Sequence, residues 1–218
     1  MARGPLEVWG RRSAYNVQKV LWVVGELGLA HTHLDAGGAA GGLDAPRFRA
    51  LNPHGRVPVL VDGAATVWES NSVVRYLAAR HGAGSLWPED PAERSLADRW
   101  MDWELATLQP DFMHLFWGFY RTPAADRNPR AIEAARARCA ERYRRLDDQL
   151  ASRAFLAGDA FTMGDIPAGT SLFRYFEMGL EKPELPNLRR WYGRLAERPA
   201  YREHVMRPFE ELRGRLAF

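Results

Sequence analysis

The chain has 218 residues, 46% of them hydrophobic and 26% charged, which suits a globular protein of one large or two small domains. Its 30 basic and 27 acidic residues leave a formal net charge of +3, too small to argue for nucleic acid, and lysine occurs only at Lys19 and Lys182. No apolar run approaches the roughly 18 residues of a membrane span, the first residues lack the apolar core of a secretory leader, and the single cysteine excludes an intrachain disulfide. A cytoplasmic protein is therefore expected.

Residues 6–9 read as a strand and 10–13 as the loop after it. Val17, Val20, Leu21, Val24 and Leu27 then recur at helical spacing from Tyr15, and Gly28 is placed to end that helix. Residues 31–34 make a second strand. The GGAAGG run at 37–42 is a flexible loop without the lysine and hydroxyl of a phosphate-binding loop.

Residues 51–70, LNPHGRVPVLVDGAATVWES, are the most informative stretch. A turn over 52–55 leads into an apolar run at 57–61, Asp62-Gly63 reverses it, and residues 66–68 return. A helix follows, with Ser70 or Asn71 as its cap and Val73, Val74 and Leu77 on its inner face, and runs out at His81-Gly82. Pro58 removes a ladder donor from the apolar run. A cis Val57-Pro58 bond would suit it and would leave the Val57 backbone facing outward, free to pair with an extended, peptide-like ligand. The helix start close by offers unpaired N–H groups to a carboxylate. Together these point to a small acidic peptide.

Residues 82–91, GAGSLWPEDP, read as a linker, and the rest of the chain as helical. One helix is expected over 92–108, stopped near Pro110, and another over 132–150 after a turn at 126–129. Cys139 shares the apolar spacing of that second helix and reads as a buried structural thiol. Thr162 and Asp165 form a capping box, with Phe161 able to staple onto Ile166. Shorter helices close the chain at 186–197 and 201–206. Phe112, Phe116, Trp117 and Tyr120 either line an apolar pocket or pack in the core, at least half of them in the core at this spacing. No metal-ligand cluster is visible, since His31 and His33 alternate on a strand and lack partnering cysteines or spaced acids.

The ordered pattern NPxGxVPxL…ES resembles the glutathione site of the glutathione S-transferases. The resemblance implies an α/β thioredoxin-like N-terminal domain (residues 1–81), a linker (82–91) and an all-α C-terminal domain (92–218) carrying the pocket for an apolar electrophile. It implies glutathione as co-substrate. Val57, before Pro58, would pair with the cysteinyl backbone, and Glu69 and Ser70 would hold the γ-glutamyl end. His54 and Arg56 flank that strand. Position 56 often contacts glutathione in related patterns, and an arginine there either grips a carboxylate or stays a solvated charge, an ambiguity shared by Arg11 and Arg12.

The loop GRRSAYNVQKV resembles the serine-type classes, phi and theta, and similar bacterial enzymes. A gapless match puts Ala14 where those classes carry serine, so the group facing sulfur ranks as Ser13, then Asn16, then Tyr15, with helix capping the commoner job for the first two. Conjugation by a bound thiolate is the leading reaction. Peroxidase, isomerase or dehalogenase chemistry with the same thiolate, and a non-catalytic scaffold on this fold, are the alternatives. A homodimer is implied by the family, with Asp102 and Trp103 able to face the partner.

Overall fold

Four strands form one sheet in the order β2–β1–β3–β4 in the computed structural model, which describes residues 6–216. The reading that no leader is present rests partly on residues 1–5, which lie outside the described residues. β1 (Leu6–Trp9) and β2 (His31–Leu34) are parallel and joined through α1 (Tyr15–Glu26). β3 (Val59–Asp62) and β4 (Ala65–Trp68) form the antiparallel hairpin, and β3 pairs β1 in the register Glu7–Val61, Val8–Leu60 and Trp9–Val59. With α3 (Ser70–His81) behind it, this is the expected thioredoxin-like order.

Helix α1 is apolar on nearly every side: Val17, Val20, Leu21, Trp22, Val23 and Val24 are all fully buried. It packs against α3 on one flank and against α7 (Asp165–Glu177) and α9 (Pro199–His204) on the other. Burial of each such side chain is worth about 1.5–3 kcal/mol, so α1 joins the sheet to the helical half. Gly28, at φ 61°, ends it as expected. Gly10, at φ 138°, brings β1 close to the site: a Cβ there would lie 2.5 Å from Val17 Cγ2 and 2.9 Å from Val57 Cβ.

Some local expectations differ from the structure. A short helix, α2 (Pro46–Leu51), precedes the hairpin, and a 3-10 turn (Gly38–Ala40) lies within the glycine-rich loop. Neither Ser70 nor Asn71 caps α3. Glu69 is the cap residue, at φ 67° and without a side-chain cap bond, and Ser70 is the first helical residue. Asn71 is buried and its Nδ2 donates to Met101 O at 3.0 Å, tying α3 to α4 (Pro91–Trp103). The 82–91 segment is anchored, with Leu86 buried and its carbonyl accepting from Met163 N at 3.0 Å. Asp90 caps α4 by accepting from the N–H groups of Ala92 and Glu93, each at 2.9 Å.

Pro110 does not stop the helix. After α4 the chain widens into a π turn (Glu104–Leu108), continues as α5 (Gln109–Leu115) and widens again at Phe116–Arg121. Pro110 lies just after the π turn, and the widened turn accommodates its ring and its missing N–H. A long α6 (Pro129–Gln149), capped by Asn128, and α8 (Pro186–Ala196) complete the helical half. Cys139 is buried and its pKa is pushed up to about 12 by that burial, as expected of a structural thiol. No helix among the described residues is long and apolar enough to cross a membrane.

The capping box forms around α7. Asp165 accepts from Thr162 N at 3.0 Å and from Leu156 N at 2.9 Å, while Thr162 Oγ1 accepts from Gly164 N at 3.3 Å. Phe161 packs tilted against Trp22 of α1 at 5.6 Å and meets Phe155 edge-on at 5.7 Å. Burial raises the Asp165 pKa from 3.8 to about 6, against the pull of its hydrogen bonds. A carboxyl raised on folding stabilises fully below its unfolded pKa and loses that contribution as pH rises through the folded one. Wild-type stability should therefore carry a component that declines by about 3 kcal/mol between pH 4 and 6. Denaturant titration across that window should show the component vanish in Asp165→Asn. An unchanged profile would refute the assignment.

Candidate active site

The site lies where the β1–α1 loop, the segment before β3 and the start of α3 face the α4–α5 helix. Two connected hollows open there. The smaller, about 150 Å³, is lined by Asn16, Asn52, Arg56, Val57, Pro58, Glu69, Ser70 and Gln109. The larger, about 490 Å³, shares Asn16, Arg56, Val57 and Gln109 and extends over Met113, Phe116 and Trp117 toward Arg11, Arg121 and Arg174.

The Val57-Pro58 bond is cis. Val57 precedes β3, so its backbone N–H and C=O lie outside the β1–β3 ladder, and the residue borders both hollows. Asn52 fixes this turn: its Nδ2 donates to Arg56 O at 2.8 Å and its Oδ1 accepts from His54 N at 3.0 Å. Arg56 lines both hollows, whereas the exposed His54 lines neither and sets its ring against Trp68 at 5.1 Å. Glu69 and Ser70 stand together at the start of α3 in the smaller hollow.

At the other wall, Ala14 is the cap residue of α1 and has no side chain to bond the first-turn amides. Their N–H groups are the positive end of a twelve-residue helix. Asn16 borders both hollows, and its Oδ1 is buried without a hydrogen-bond partner. Ser13 borders the larger hollow alone of the two, and its carbonyl accepts from Arg174 Nη2 at 2.6 Å. Tyr15 is committed elsewhere: its hydroxyl lies 2.8 Å from Glu104 Oε1, and burial raises its pKa well above 10.0. The third-ranked sulfur donor thus borders the larger hollow with its hydroxyl hydrogen engaged by Glu104.

Beneath the smaller hollow lies a buried ion pair that sequence reasoning missed. Lys19 Nζ is 3.0 Å from Glu104 Oε2, both side chains are fully buried, and Lys19 also donates to Gln109 Oε1 at 2.7 Å. Burial lowers the Lys19 pKa, while Glu104 and, more weakly, Glu69 push it back up. With its oxygen held by Lys19, Gln109 keeps its amide nitrogen as a donor on the cleft wall. The one available signal was a lysine on the apolar face of α1.

Of the four pocket aromatics, Phe116 and Trp117 line the larger hollow. Phe112 and Tyr120 are core residues: Phe112 packs on Tyr15 at 5.7 Å, and Tyr120 on Phe209 at 4.8 Å. Asp102 forms an ion pair with Arg75 of α3, and Arg75 Nε also reaches Asp98 Oδ1 at 2.7 Å.

These elements define a thioredoxin-like sheet carrying a cis-proline strand beside a helix start, with a second hollow against a helical half. Comparison with known proteins agrees. The family model "Glutathione S-transferase, N-terminal domain" matches residues 10–85, and "Glutathione S-transferase, C-terminal domain" matches 108–199. The chain belongs to the glutathione S-transferase family. It is 40% identical to glutathione S-transferase GstB of Escherichia coli strain K12 over 205 residues, covering 93% of this chain and 99% of that one. It is 29% identical to glutathione S-transferase 3 of Zea mays, covering 92% and 93%. Among solved structures, the theta class glutathione S-transferase of Xanthomonas axonopodis pv. citri with glutathione bound aligns at a TM-score of 0.90 and 50% identity, covering 93% and 98%.

Proposed function

We propose that this protein is a glutathione transferase that holds glutathione as a thiolate in the smaller hollow and presents it to an electrophile in the larger one. One observation carries the reading: Val57, whose backbone stands outside the sheet, and the Glu69-Ser70 helix start border one recess that opens toward Asn16. In this reading the Val57 backbone pairs with the cysteinyl unit. Ser70 and the first N–H groups of α3 take the γ-glutamyl carboxylate, Glu69 takes its ammonium, and Arg56 and Gln109 close the sides. Pro58 shapes the strand, and His54 acts at most through its packing on Trp68.

Asn16 replaces Ser13 as the leading sulfur donor. It borders both hollows in the uncapped first turn of α1, where its amide nitrogen can donate to sulfur, whereas Ser13 borders the larger hollow alone and meets Arg174 through its carbonyl. A free thiol near pKa 8.5 is mostly protonated at neutral pH. A side-chain amide and the positive helix end each favour the thiolate, and together they can supply the roughly 2.7 kcal/mol that a two-unit drop requires.

Glutathione titrated into the protein across pH should show thiolate ultraviolet absorbance well below pH 8.5. No binding and no early thiolate signal would leave the scaffold reading in its place. A homodimer is part of the proposal. Beside Asp102, which is held by Arg75, the half-buried Trp103 and the exposed Leu105 offer apolar side chains to a partner, and a monomeric mass in solution would remove that part.

A further inference from the structure

We propose that the arginine end of the larger hollow binds a carboxylate on the second substrate, so that the preferred acceptor is a flat aryl electrophile bearing an acid group. This rests on the glutathione transferase reading and refines the expectation of a purely apolar acceptor.

Arg11, Arg121 and Arg174 come from the β1–α1 loop, the second π turn and α7, and all three border the same hollow. Arg174 is only 3% exposed. Its Nη2 donates to Ser13 O at 2.6 Å and to Gln18 Oε1 at 3.2 Å, while its Nε is buried without a hydrogen-bond partner. Burial and the neighbouring guanidiniums bring both Arg121 and Arg174 down to a pKa of about 10, while Tyr15 and Glu211 pull Arg174 back up and Glu211 does the same for Arg11. Like charges held this close inside a protein repel, and an anion placed among them relieves both the repulsion and the desolvation.

The flat shape follows from what the guanidiniums rest on. Arg121 lies 3.8 Å from the Trp117 ring centroid, and Arg174 lies 5.2 Å from that of Phe116. Phe116 and Trp117 themselves line the hollow, so ring faces and guanidinium edges are offered side by side. The cluster lies away from Glu69 and Ser70, with Asn16 common to both hollows. An acceptor whose acid group meets the arginines therefore has its reactive carbon toward Asn16. With a chloroarene, the sulfur electron pair forms the C–S bond, the C–Cl bond breaks and chloride leaves with its pair. The thiol proton has already passed to solvent.

The test compares 4-chloro-3,5-dinitrobenzoate with 4-chloro-3,5-dinitrobenzamide at saturating glutathione, each kcat/KM divided by its own uncatalysed rate constant. We expect the benzoate to be favoured at least about tenfold, the effect of one charge-assisted hydrogen bond. Arg121→Gln and Arg11→Gln should each shrink that preference. A wild-type ratio near one overturns the proposal without any variant. So does an unchanged ratio in both variants accompanied by a raised pKa of bound glutathione, which would assign the arginines to the sulfur. Calorimetric binding of S-(4-carboxybenzyl)glutathione against S-benzylglutathione repeats the comparison without turnover. Equal affinities overturn this inference alone, whereas failure of S-benzylglutathione to bind overturns the transferase reading beneath it.

Discussion

Lys19→Met should unfold at markedly lower urea than wild type, with a loss of about 3–5 kcal/mol. The substitution leaves the Glu104 carboxyl fully buried without its charge partner, with Tyr15 as its remaining donor. Removing one member of a buried pair costs far more than removing both, because desolvation of the survivor is no longer offset. The double variant Lys19→Met with Glu104→Gln should therefore recover most of the loss. It keeps an acceptor for the Tyr15 hydroxyl and leaves no unpaired charge. Gln109 loses its anchor in both variants, so the KM for glutathione should rise several-fold even where stability returns. If single and double variants unfold at the same urea concentration, the pair is not the support described here.

Asn16→Ala should lower kcat/KM for conjugation by about 100-fold, the scale of losing one hydrogen-bond donor aimed at a developing charge. The pKa of the bound thiol should rise with it. Ser13→Ala should cost less than about threefold, since Ser13 enters the network through its backbone carbonyl, which alanine retains. The opposite ranking, with Ser13→Ala the damaging change, would restore the serine and sink the role given to Asn16.

Much of the sheet and its cis-proline strand could be read before the structure because the signals there are local. The apolar spacing of α1, the Asp62-Gly63 reversal and Pro58 before the run Val59–Asp62 each constrain a few neighbouring residues. The capping box at Thr162 and Asp165 was legible for the same reason. Ser70 shows the limit of such reading: its residue type suits a cap, yet the chain turns one residue earlier, at Glu69. Helix α2 has one buried residue, Phe48, too little for periodicity to reveal. The arginine cluster joins positions 11, 121 and 174, and the ion pair joins 19 and 104. No window along the sequence contains either, and only packing brings them together.

The two widened turns in the long helix have a further consequence. In an α-helix each residue advances about 100° around the axis, so one residue absorbed by a π turn rotates every later side chain by about that much. Glu104 and Gln109 bracket the first such turn, and Phe116 to Arg121 form the second. Sequence separation along this helix is therefore no guide to which residues share a face. Deleting Leu105, an exposed residue of the first turn, would leave composition and hydrophobicity almost unchanged. Relaxing that turn to an α turn would absorb the loss and keep Gln109, Met113, Phe116 and Arg121 on the cleft side, whereas deleting a residue of α4 would swing all of them by about 100° together. A gap of one residue at this turn, in an alignment of related chains, marks loss of the bulge with the active-site wall kept, and the same gap in α4 marks a change of that wall.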